Sequence, residues 1–86
     1  MYYVYVIENS NNELYFGRTN DLKRRLSEHN SGATFTTAKG TDWQLIYYEA
    51  YRTEASAKRR EKRIKDYGQA WSQLKKRIAE SRRQES

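Results

Sequence analysis

Aromatic and β-branched residues crowd the start of the chain. Tyr2, Tyr3, Val4, Tyr5, Val6 and Ile7 predict a strand, because such side chains pack well on a pleated surface. Ser10, Asn11 and Asn12 supply turn residues, and Glu13 to Arg18 read as a returning second strand. Asn20 then caps a predicted helix over Asp21 to Asn30, with Asp21 at the positive end of its dipole and Gly32 as the stop. Ser31 to Asp42, rich in Thr and Gly, reads as a loop. Trp43 to Ala50 is the third predicted strand, with Trp43, Leu45 and Tyr47 on one face and Ile46 and Tyr48 on the other. Thr53 caps a second helix from Glu54 to about Asp66. Gly68 breaks it before a last helix whose stripe is Ala70, Trp71, Leu74, Arg77 and Ile78. The order β-β-α-β-α-α predicts an α+β domain, a small three-stranded mixed sheet flanked by helices.

Composition narrows the class. With 86 residues the expectation is one domain over 1–80, followed by a disordered basic tail over 81–86 that lacks an apolar anchor. The absence of cysteine excludes a disulfide framework, a thiolate zinc site and a cysteine nucleophile. The longest apolar run, Val4 to Ile7, is too short for a signal-peptide core or a membrane span, so a soluble, cytoplasmic domain without a membrane partner is expected. The net charge of +6 is unevenly placed. Residues 1–50 hold 5 basic and 6 acidic side chains, whereas residues 51–86 hold 12 basic and 5 acidic. A field this one-sided favours a polyanionic partner, nucleic acid above all, although a solvated helix face would show the same charge.

Polar residues on apolar stripes point to chemistry. Leu22, Arg25, Leu26 and His29 fall at i, i+3, i+4 and i+7 of the first helix, so Arg25 and His29 lie along its leucine seam. Arg25 at the seam's edge with its head in water, and His29 satisfied by a backbone carbonyl, is the structural alternative. In the second helix Ala57, Glu61 and Ile64 share a stripe, with Glu54 one turn earlier. A carboxylate there needs a partner. An ion pair with Arg25 or a lysine would serve, and so would a hard divalent cation, which suits one carboxylate plus waters and phosphate oxygens. One Glu, one Arg, one His and eight Tyr together favour phosphodiester chemistry.

These residues also fall into a known arrangement. Tyr3-Val4-Tyr5, then Tyr15-Phe16-Gly17-Arg18-Thr19, then Asp21 through Asn30, Tyr48-Glu49, and Glu54 through Glu61 followed by Ile64-Lys65 resemble the GIY-YIG nuclease domain. The likeness is to small single-domain members related to excision-repair nucleases, and it runs to about Leu74. Two positions depart from the pattern: Tyr3 stands where the first motif usually has Gly, and Phe16 where the second usually has Ile.

The resemblance implies a metal-dependent endonuclease acting on single-stranded, branched or damaged DNA, as in DNA repair, through one Mg²⁺ or Mn²⁺. It makes Glu61 the metal ligand, Arg25 the group on the non-bridging phosphate oxygens, and Tyr5 or Tyr15 the group that activates water, with His29 as proton relay. Arg18 falls near the scissile phosphate. Gly17 reads as backbone clearance for substrate or helix packing, or as an ordinary strand end. Phe35 would stack a base and Lys39 touch phosphate, or Phe35 would only pin its loop. Lys75, Lys76 and Arg77 are expected to contact the nucleic-acid backbone. A monomer or weak dimer is expected. The rival is a non-catalytic nucleic-acid-binding module that kept the fold.

Overall fold

Asn9 builds the turn that starts the fold. Its side-chain oxygen accepts from the backbone N–H groups of Asn11 and Glu13, each at 3.0 Å, and its amide donates to Glu13 Oε1 at 2.9 Å. Asn12 takes the left-handed conformation (φ 63°) that asparagine tolerates better than most side chains. The strands so joined are β1 (Tyr2–Glu8) and β2 (Leu14–Thr19). The remaining elements are α1 (Leu22–Asn30), β3 (Gln44–Tyr51), α2 (Glu54–Asp66) and α3 (Gly68–Arg77), with a 3₁₀ turn over Ala79–Ser81. The structure, a computed structural model, describes residues 1–31 and 42–81. The expected loop tip with Gly32, Phe35 and Lys39, and the tail beyond Ser81, lie outside the described residues. Among the described residues no helix is long and apolar enough to cross a membrane.

The α+β class and the order β-β-α-β-α-α are as expected, but the sheet is antiparallel throughout rather than mixed. Its strand order is β2-β1-β3. β2 and β3 do run parallel to one another, as a β-α-β connection requires, yet β1 lies between them, so no parallel pair forms. One boundary also moves. Asp21, not Asn20, caps α1 by accepting from Arg24 N at 3.0 Å, and Asn20 instead accepts from the Arg24 guanidinium at 3.1 Å. Thr53 caps α2 as expected, accepting from Ser56 N.

Each sheet face carries its own core. Val4 and Val6 of β1 meet Ala57, Ile64, Leu74 and Ile78, beneath α2 and α3. Tyr5, Ile7 and Trp43 meet Leu22 and Leu26, beneath α1. The expected face of Trp43, Leu45 and Tyr47 does not form. The register slips between Val6↔Tyr47 and Ile7↔Leu45, and this bulge at Ile46 sends Tyr47 to the α2 face while Trp43 and Leu45 stay on the α1 face. Asn30 clasps the Trp43 backbone through two hydrogen bonds (2.6 and 3.0 Å), tying the end of α1 to the start of β3.

A half-buried ion pair fixes α2 on the sheet. Glu49 of β3 accepts from Arg60 Nε and NH2 at 2.9 and 3.1 Å, from the Tyr47 hydroxyl at 2.7 Å, and from the Tyr51 hydroxyl. Burial alone would raise the Glu49 carboxyl, but the Arg60 guanidinium and the two phenols outweigh it and hold it below the usual carboxylate range. Burial, then the hydrogen bond to Glu49 and its charge, push the Tyr51 phenol up to about 12 against the lowering effect of Arg60. With Arg60 held against β3, the next residue, Glu61, projects about 100° further round the helix, toward β2.

Candidate active site

The site is assembled on the α1 face of the sheet and reaches round its β2 edge. Tyr5, at the centre of the middle strand, is 2 % exposed. Its hydroxyl lies 2.8 Å from His29 Nε2, and His29, one turn beyond Leu26 on the α1 seam, is wholly buried. Burial and the adjacent Arg25 charge push His29 below the usual imidazole range, which favours the neutral ring at pH 7; in the tautomer with its proton on Nδ1, Nε2 accepts from the Tyr5 hydroxyl. Arg25 Nε donates to the same Tyr5 oxygen at 3.4 Å, while its NH1 pairs with Glu28 at 3.0 Å. In that tautomer Tyr5 donates to His29 and accepts from the Arg25 guanidinium, with a lone pair left for a third group. Burial raises its phenol by more than the Arg25 hydrogen bond and charge lower it, and Tyr15 and Glu61 add to the rise.

Tyr15 stands edge-on to His29, ring centroids 5.1 Å apart. Gly17 explains how two tyrosines fit here. A Cβ at Gly17 would lie 2.7 Å from the Tyr5 hydroxyl, 2.9 Å from its ring carbon Cζ, and 3.3 Å from Tyr15 Cε1. The expected backbone clearance is therefore present, but the Tyr5 phenol fills it.

Glu61 is less enclosed than its stripe implies. Its side chain is 31 % exposed at the β2 edge, where Arg18 Nε lies 3.4 Å from Oε1, and Arg18 NH1 reaches Glu54 at 3.8 Å. Of the alternatives for Glu61, the pairing with Arg25 is not made; Arg18 is its partner and Glu28 takes Arg25. Glu61 and Tyr15 line one groove, and the carboxylate is close enough for its charge to act on Tyr5. The structure thus brings Tyr5, Tyr15, Arg25 and His29 into one cluster with Gly17, and sets Glu61 and Arg18 at its rim.

A cleft of about 280 Å³ beside this cluster gathers Arg18, Arg24 and Arg25. Glu28 and Glu54 share its lining and pair with Arg25 (3.0 Å) and Arg18 (3.8 Å), so an anion bearing several oxygens would meet these guanidiniums in competition with two carboxylates. Arg24 reaches this cleft from the first turn of α1, where its place beside Arg25 is the sequence signal for it. Lys75, Lys76 and Arg77 form the last turn of α3. Lys75 Nζ lies 5.6 Å over the Trp71 ring, Lys76 and Arg77 are exposed, and Arg77 counters the rise of the Tyr47 phenol that burial and Glu49 cause.

The donor set can be weighed against a metal. Among the described residues there is no cluster of three or more His, Cys, Asp or Glu, which excludes a cage of zinc type within them. Glu61 fits a hard cation. It is a half-open carboxylate whose one ion pair is long, and it faces a groove where waters and phosphate oxygens can complete an octahedron.

Comparison with known proteins agrees with this layout. A family model, the GIY-YIG catalytic domain, matches residues 1–77. A UPF0213 protein of Haloquadratum walsbyi is 42% identical over 67 residues, covering 77% of this chain and 75% of its own. One from Halobacterium salinarum is 42% identical over 72 residues (81% and 92% of the two chains), and one from Bacillus pumilus is 39% identical over 77 residues (87% and 74%). No solved structure matches. A family-model match over residues 1–77, with these relatives, makes this chain a member of the GIY-YIG family of nucleases.

Proposed function

We propose that the chain is a metal-dependent endonuclease that hydrolyses phosphodiester bonds in DNA, with Glu61 holding one Mg²⁺ or Mn²⁺. The observation that carries this reading is the Tyr5 hydroxyl, held between neutral His29 and the Arg25 guanidinium and within electrostatic reach of Glu61. When bound, the cation supplies positive charge for the phosphoryl and leaving 3′ oxygens. The scissile phosphate sits in the cleft of Arg18, Arg24 and Arg25, whose guanidiniums meet the charge that grows on its non-bridging oxygens.

Water lies against the free lone pair of Tyr5. As the water attacks, its proton passes to Tyr5 Oη while the phenol proton passes to His29 Nε2. No free phenolate forms, so a phenol with a raised pKa serves without the roughly 4 kcal/mol needed to bring one down to neutrality. Tyr15 walls the other side of His29 and faces the Glu61 groove, where it orients the attacking water.

The test is a panel of labelled single-stranded, duplex and branched DNA incubated with Mg²⁺, Mn²⁺ or EDTA. Nicks on at least one substrate that disappear in EDTA are the expected result. Uniformly uncut DNA that the protein nevertheless binds would overturn the enzyme in favour of a binding module.

A further inference from the structure

The groove beside Glu61 has features that the cutting chemistry does not use. It opens between β2 and α2 with a volume of about 750 Å³. Its floor is aromatic: Tyr15 at the end nearest the cluster, then Phe16, with Trp71 of α3 packed on Phe16 at 5.1 Å between ring centroids. One wall is basic. Lys58, Lys62 and Lys65 recur along one face of α2, a rail of about 10 Å at 1.5 Å per residue. Lys58 is engaged by Glu54 at 3.2 Å, whereas Lys62 and Lys65 carry no ion pair among the described residues. Lys75 adds a cation over the Trp71 ring, and Asp66 closes the far end.

We infer that this groove binds an unpaired segment of nucleic acid continuous with the scissile phosphate, its backbone on the lysine rail and a base on the Trp71–Phe16 floor. The inference rests on the nuclease reading for the position of that phosphate. A recessed aromatic floor is accessible to the face of a base, and duplex DNA hides those faces in its stack. Lysines beside the floor match the charge of the attached phosphates. A base settling on Trp71 displaces the Lys75 ammonium toward the backbone. The substrate class that follows is a single strand, flap or overhang, with the cut made next to its unpaired part.

Tryptophan emission tests this without cleavage. Trp43 is buried and Trp71 lines the groove, so quenching reports on Trp71. In EDTA, a 12-nucleotide oligothymidylate is titrated against a blunt 12-base-pair duplex, using wild type, Lys62→Gln/Lys65→Gln and Trp71→Phe. Both lysines are exposed and outside the cores, so the double variant keeps its fold. The expected results are quenching by the oligothymidylate that is lost in Trp71→Phe, and affinity at least tenfold above the duplex. The lysine variant should bind roughly tenfold more weakly, with a salt slope shallower by about 1.4. Equal quenching by duplex, or an unchanged slope in the lysine variant, overturns the inference. The two readings fail separately: a protein that cuts duplex but is not quenched by oligothymidylate loses the groove and keeps the nuclease. One that is quenched but cuts nothing loses the nuclease alone.

Discussion

Replacing Gly17 by alanine is the smallest change that should disable the site. In an ordinary strand the exchange stabilises, since glycine loses more backbone freedom on folding, by roughly 0.5–1 kcal/mol. Here the sign reverses. The new Cβ would lie 2.7 Å from the Tyr5 hydroxyl, roughly 0.7 Å inside ordinary contact, and 2.9 Å from Cζ. Tyr5 cannot swing away freely, because it is 2 % exposed and pinned by His29 at 2.8 Å and Arg25 at 3.4 Å. A retreat of that size along the His29 bond would open it to roughly 3.5 Å, the limit of a hydrogen bond. Overpacking of this kind costs about 1–3 kcal/mol, which in a chain this short lowers Tm by roughly 4–20 °C.

Misplacing a reacting group by about 1 Å costs on the order of 10²-fold in rate. Gly17→Ala should therefore lower both Tm, followed by circular dichroism, and single-turnover cutting, measured well below either midpoint. Tyr5→Phe removes the atom at 2.7 Å, so the double variant should lose less stability than the two single losses added together. An alanine variant as stable and as active as wild type would refute the claim that Gly17 exists to seat Tyr5.

Two further predictions concern charge. Glu49→Gln removes the charge that Arg60 and two phenols converge on and should destabilise by about 3 kcal/mol, read by urea unfolding at pH 7. Because the folded Glu49 carboxyl lies below its unfolded value, its stabilisation is present above about pH 4 and fades as pH falls further; the Gln variant should lack that fading. His29 must be neutral to take the phenol proton, and its folded pKa is lowered, so the acid limb of the cutting rate should lie below about pH 6.5. An acid limb above pH 7 would show that another group titrates.

Periodicity made most of this layout legible before any coordinates. Strand and helix order followed from the Tyr/Val run, the Thr53 cap and the break beside Gly68, and the seam Leu22–Arg25–Leu26–His29 correctly put Arg25 and His29 beside the sheet. Pairing geometry was not legible. A one-residue bulge at Ile46 is invisible in a run where every residue is apolar or aromatic, and it reverses the faces of everything after it. The same slip decides that Tyr47, Glu49 and Tyr51 line up on Arg60. The exchange of ion-pair partners between Arg18 and Arg25 was also hidden, because it depends on which sheet edge α2 reaches. The lysine rail could have been read, since 58, 62 and 65 recur at helical spacing, but it was submerged among the other cations of α2.

The most direct measurement compares wild type with Glu61→Gln, an exchange that keeps shape and removes charge, in single-turnover cleavage at saturating Mn²⁺ alongside oligothymidylate binding. Cleavage should drop on the order of 10³-fold while binding holds, since the rail and the floor are untouched. A glutamine variant that still cuts within a factor of a few of wild type would contradict the assignment of Glu61 and, with it, the metal-dependent site.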